Sequence, residues 1–113
     1  MSEYITQEVY VASVRKQVVE TAQSMLSGKL SFLEGARLLY GLRHDAAVRD
    51  DDADFMAFVV INSETDALPI GTVRQYWSHD ALEKLAAEIV EAELWAKKLG
   101  GDACDSLVRR FHV

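Results

Sequence analysis

A chain of 113 residues, half of them apolar and 27% charged, is sized for one hydrophobic core that hides roughly 65% of the unfolded chain's surface, with no room for a second. This composition lies far from the low-hydrophobicity regime of disorder. The formal net charge of −6 is unevenly placed: residues 1–49 carry six Lys/Arg against five Asp/Glu (+1), and residues 50–113 carry six against thirteen (−7). That balance argues against a nucleic-acid partner, whose affinity would come from exchanging counterions for Lys and Arg, and steers the chain toward a basic protein surface.

In chain order, Val11, Val14, Val18, Val19, Ala22, Met25 and Leu26 recur at three- and four-residue steps, which predicts an amphipathic helix over about 6–27, ended by Gly28. Ser31 and Glu34 form S-x-x-E, the signature of a capping box. The helix behind it turns Phe32, Ala36, Leu39 and Tyr40 inward, broadened by Leu38 and Leu42, so residues 6–46 read as a helical hairpin. Asp50, Asp51, Asp52 and Asp54 then precede Phe55 and Phe58, which places acids where a helix N-terminus attracts them and predicts a short helix over 53–61. The apolar run Phe58–Ile61 equally suits a buried strand, and that alternative stays open at this point. Pro69 and Gly71 mark an irregular loop at 62–72, followed by one short turn, with Thr72 as its cap, holding Arg74 and Trp77. Ser78 caps a long helix whose stripe is Leu82, Leu85, Ile89, Ala92, Ala96 and Leu99, with Trp95 beside it in the core and Glu93 paired to Lys97. Gly100-Gly101 predicts a break before a last helix capped by Asp102 that buries Cys104, Leu107, Val108 and Phe111. The expected fold is an all-α compact bundle of about four to five helices in a single domain, 1–113.

No apolar run is long enough to span a bilayer, and MSEYITQEVY lacks the basic and apolar regions of a signal peptide. With a lone cysteine, Cys104, the expected location is cytoplasmic and the expected role of that thiol is core. His112 reads as a solvated terminal side chain. Asp50, Asp52 and Asp54 imitate the opening of a calcium loop, but Phe55 stands where such a loop needs glycine, and Ile61 where it needs a bidentate glutamate. The pairs His44-Asp45 and His79-Asp80 resemble the ligands of metal phosphohydrolases of the His-Asp type. That resemblance would make His44, His79, Asp80 and either Asp102 or Asp105 metal ligands, although no basic cluster lies beside the pairs to hold a phosphate. Motifs for a nucleophilic serine, a phosphate loop, a zinc protease or a redox dithiol are absent. Arg74 and Trp77, three residues apart, are types enriched in binding hot spots; the internal alternative pairs Arg74 with Glu64 or Asp66 and packs Trp77 on the long helix.

Ser31, Glu34, Gly35 and Arg37 (S-x-x-E-G-x-R), followed by Phe58 through Gly71 (F-x-x-I-x-S-E-T-D-x-L-P-x-G) and then Arg74 and Trp77, resemble a group of small uncharacterised bacterial proteins over about residues 20–111. The resemblance carries no established activity. By type, small acidic proteins of this kind are similar to the immunity partners that bacteria keep beside secreted toxins. The expectation is therefore a non-enzymatic binding protein without cofactor that neutralises a basic toxin or enzyme domain through Asp50, Asp51, Asp52, Asp54, Glu64, Asp66, Arg74 and Trp77. The alternatives are the metal-dependent phosphohydrolase and a structural homodimer.

Overall fold

Thr6 opens the first helix, its hydroxyl accepting from the Val9 N–H at 3.1 Å, and α1 runs Gln7–Leu26 before Gly28 takes a positive φ of 81°. This computed structural model describes residues 6–111; His112 lies outside the described residues. Ser31 caps α2 (Phe32–Leu42) by accepting from the Glu34 N–H, and Asp52 caps α3 (Ala53–Thr65). A six-residue 3₁₀ helix, Gly71–Tyr76, leads into the 33-residue α4, His79–Phe111, whose first turn is capped by the Ser78 hydroxyl. The fold is all-α, with no strand among the described residues. None of its helices is long and apolar enough to cross a membrane.

One core joins the four α-helices: Val18, Ala22 and Met25 from α1, Phe32, Leu33 and Leu39 from α2, Phe55, Phe58 and Ile61 from α3, and Ala96, Cys104 and Leu107 from α4. Glycine makes close approaches possible at two points in it. An alanine Cβ at Gly35 would sit inside the thioether of Met25, so a side chain at this meeting of α1 and α2 would require Met25 to move. Met25 in turn accepts the Cys104 thiol at 3.8 Å, which links α1 to α4.

Several sequence expectations are corrected. The 53–61 helix continues to Thr65, so Phe58–Ile61 is helical and residues 62–65 are not loop. The buried positions 55, 58, 61 and 65 keep helical spacing, and the Thr65 hydroxyl donates to the Ile61 carbonyl at 2.6 Å. At Gly100-Gly101 there is no break. A Cβ at Gly100 would lie 3.0 Å from the Phe58 ring and 3.2 Å from Ile61 Cδ1, so the missing side chain is what lets α4 press against α3, and that packing outweighs the helix-propensity cost. The 3₁₀ helix begins at Gly71, with φ 71°, and receives no side-chain cap from Thr72. Leu26, Leu38, Trp95 and Leu99 are exposed rather than core; Leu38 borders an open groove between α1 and α2.

Candidate functional site

The acidic block divides at the start of α3. Asp52 Oδ1 accepts from the N–H groups of Asp54 and Phe55 at 3.1 and 3.3 Å, and the carboxylate is gripped from the far end of α4 by Arg110, at 3.0 and 2.7 Å. Asp54 Oδ2 accepts from Arg110 at 2.7 Å and from the Ser106 hydroxyl at 2.6 Å. The Asp52 and Asp54 side chains are only 11% and 19% exposed. The Arg110 hydrogen bonds hold the Asp52 carboxyl below its ordinary value of 3.8 against the opposing pull of burial, and Asp52 reciprocally holds the guanidinium above its own. These two acids are therefore structural and are withdrawn from the expected partner surface. Asp50 and Asp51 remain outside, Asp50 3.9 Å from His44 and Asp51 bonded to its neighbour Arg49 at 3.0 Å.

Arg74 makes no ion pair with Glu64 or Asp66. Instead Arg37 secures this segment, donating to the carbonyls of Thr65 at 2.7 Å and Leu68 at 3.0 Å as α3 ends. Gly35 and Arg37, two residues apart on different faces of α2, thus each have a structural role, against Met25 and at the end of α3, that only the S-x-x-E-G-x-R motif hinted at. Arg74 lines a groove of about 450 Å³ together with Glu34, Ile70, Val90 and Leu94, and Trp77 is partly exposed beyond it. Glu93, expected to pair with Lys97, instead caps α2: its carboxylate accepts the N–H groups of Phe32 at 2.7 Å and Leu33 at 3.2 Å. Only the hydroxyl half of the capping box forms: Ser31 accepts from the Glu34 N–H, and the Glu34 carboxylate accepts no hydrogen bond from the Ser31 N–H.

The metal-ligand set is not assembled. Glu93 fixes the N-terminal end of α2 against α4, whereas His44 follows the C-terminal end of α2 and His79 lies fourteen residues before Glu93. The two histidines thus sit toward opposite ends of the bundle, each near a local acid: His44 with Asp50 and, at 3.5 Å, His79 with Glu83. Asp80 stays in the first turn of α4, and among the described residues no group of three His, Cys, Asp or Glu side chains converges as a cation site. The thiol of Cys104 is buried, which pushes it up to about 12 and away from nucleophilic use.

The outer faces of α3 and α4 hold a surface of which the sequence singled out only Glu64. These helices run antiparallel, with Asp54 facing Ser106 at one end and Phe58 and Ile61 over Gly100 further along. Trp95, Leu99, Asp102 and Ser106 follow at steps of four, three and four, so the row that meets Asp54 continues along the α3 edge of α4. On α3, Met56, Val60 and Glu64 form an exposed row at four-residue steps. Met56, Val60, Trp95 and Leu99 are all between 38% and 41% exposed. Around them Glu64, Glu88, Glu91 and Asp102 are exposed acids with no ion pair among the described residues. Trp95 was hidden from sequence reasoning because it abuts an apolar helical stripe, where a core position is the ordinary outcome.

A larger groove, about 830 Å³, runs along α1 from Gln7 to Gln23 and is closed at one side by Arg110 and Phe111. Its arginines are already engaged, Arg15 with the carbonyls of Ala46 and Ala47 and Arg110 with Asp52 and Asp54, so it offers no free guanidinium to an anion. Compared with known protein families, curated proteins and solved structures, the chain matches none.

Proposed function

We propose that this is a non-enzymatic acidic binding protein of the immunity type, which neutralises a basic toxin or enzyme domain by covering it with the outer faces of α3 and α4. The observation that carries the reading is the combination of half-exposed Met56, Val60, Trp95 and Leu99 with Glu64, Glu88, Glu91 and Asp102, acids that no internal cation compensates among the described residues. Interfaces draw most of their affinity from a few large apolar or aromatic anchors, and a rim of one charge steers the oppositely charged partner. Glu64 belongs to this surface, and Asp50, Asp51 and Asp66 are further exposed acids at the two ends of α3. Asp52 and Asp54 support it from beneath by fixing α3 to α4.

The test is affinity capture from cells that make the protein, followed by titration of the captured partner at low and physiological salt. The expected result is a basic partner whose affinity falls with salt. Trp95→Ala should cost at least 2 kcal/mol of binding if it is an anchor. Failure to capture any basic protein, or affinity indifferent to Trp95→Ala and to salt, contradicts the reading.

A further inference from the structure

We propose that a second face of α4, apart from the core row and meeting the Trp95–Leu99 face only at Glu91, joins two copies of this chain as an antiparallel helix pair. Glu83, Ala87, Val90, Leu94 and Lys97 recur at steps of four, three, four and three, the spacing of a two-helix seam. All five are exposed, Val90 at 59% and Leu94 at 58%. The core row of α4, Ala96, Gly100, Ala103, Cys104 and Leu107, occupies a different side, so the seam stays exposed among the described residues. From Glu83 to Lys98 it extends about 22 Å at 1.5 Å per residue.

Charge complementarity identifies the occupant and its direction. Toward the start of α4 the apolar centre is bounded by Asp80 and Glu83, with Glu91 and Lys84 on its flank, and toward the end by Lys97 and Lys98. Among the described residues Glu83 forms an ion pair only with His79, itself exposed, at 3.5 Å. Parallel copies would set like charges level with one another. An antiparallel copy interleaves Val90 of one chain with Leu94 of the other, and brings Lys97 to the level of the other copy's Ala87, between its Glu83 and Glu91. Arg74 lines the groove beside Val90 and Leu94 and has no ion pair among the described residues, so it adds a cation at the centre of the seam. A seam of this length is at the small end of specific interfaces, which implies a weak dimer.

Sedimentation equilibrium on the intact chain from micromolar to sub-millimolar concentration tests the proposal. The expected mass rises toward twice the 12.6 kDa of one chain. Leu94→Asp should remain a monomer with unchanged circular dichroism, because the side chain it replaces is exposed. Lys97→Glu, and separately Glu83→Lys with Glu91→Lys, should each be monomeric alone and form a dimer when mixed. A monomer at every concentration, a dimer that survives Leu94→Asp, or charge variants that self-associate as the unaltered chain does would overturn the assignment.

Discussion

Gly100 and Gly101 are neighbours in α4 with opposite surroundings. A methyl at Gly100 meets Phe58 and Ile61, whereas one at Gly101 meets nothing within 4 Å. Gly100→Ala is therefore expected to destabilise by up to about 2 kcal/mol, since overpacking of about 1–3 kcal/mol is offset by the roughly 1 kcal/mol gained in helix propensity. Gly101→Ala should instead stabilise by up to about 1 kcal/mol, and denaturant unfolding of the pair, in dilute solution, reads the contrast directly. The sequence showed two glycines and a helix-breaking cost, but not which one faced α3. Cys104 was legible because its position on an apolar stripe sufficed. With its thiol buried and pushed up to about 12, it should resist thiol reagents at pH 8 in the folded protein and react once per chain in denaturant.

Three helix beginnings were readable from local chemistry, at Ser31, the acids before Phe55 and Ser78, whereas the first was placed by its apolar period and its Thr6 cap was not read. What the sequence hid was how the helix ends are completed from a distance. Glu93 of α4 serves the first turn of α2, Arg37 of α2 serves the end of α3, and Arg110 of α4 serves its start. Each bond joins residues between 28 and 61 positions apart, beyond any motif window. Removing Arg37 by Arg37→Ala leaves the Thr65 and Leu68 carbonyls without that donor and should cost about 1–3 kcal/mol. Faster hydrogen exchange confined first to residues 62–70 would locate the loss at this end of α3. The Asp52–Arg110 contact makes a pH prediction with a definite sign. A carboxyl held below 3.8 in the fold stabilises it fully above that value and progressively less as pH falls through the lowered folded value. Acid unfolding should therefore begin below about pH 4 and move to higher pH in Arg110→Ala, measured by circular dichroism across pH 2–6. An unchanged acid midpoint in that variant would remove this contact from the acid response.

At the scale of the molecule, fold class was legible because the apolar periods of 3.6 residues ran through nearly every segment. The candidate face was legible only in part. The excess of acid after residue 49 is visible in the sequence, yet pairing in space decides which acids are free, and Arg110 removed Asp52 and Asp54 while leaving Glu88, Glu91 and Asp102 outside. Acids that serve binding rather than folding leave a thermodynamic mark, because neutralising them relieves self-repulsion in a chain of charge −6. The most direct measurement combines Glu88→Gln, Glu91→Gln and Asp102→Asn in one chain and reads both its melting temperature and its affinity for the captured partner at low salt. The expected result is an equal or higher melting temperature with affinity at least tenfold weaker. A lower melting temperature with affinity unchanged would contradict the account, since those carboxylates would then hold the fold and not the partner.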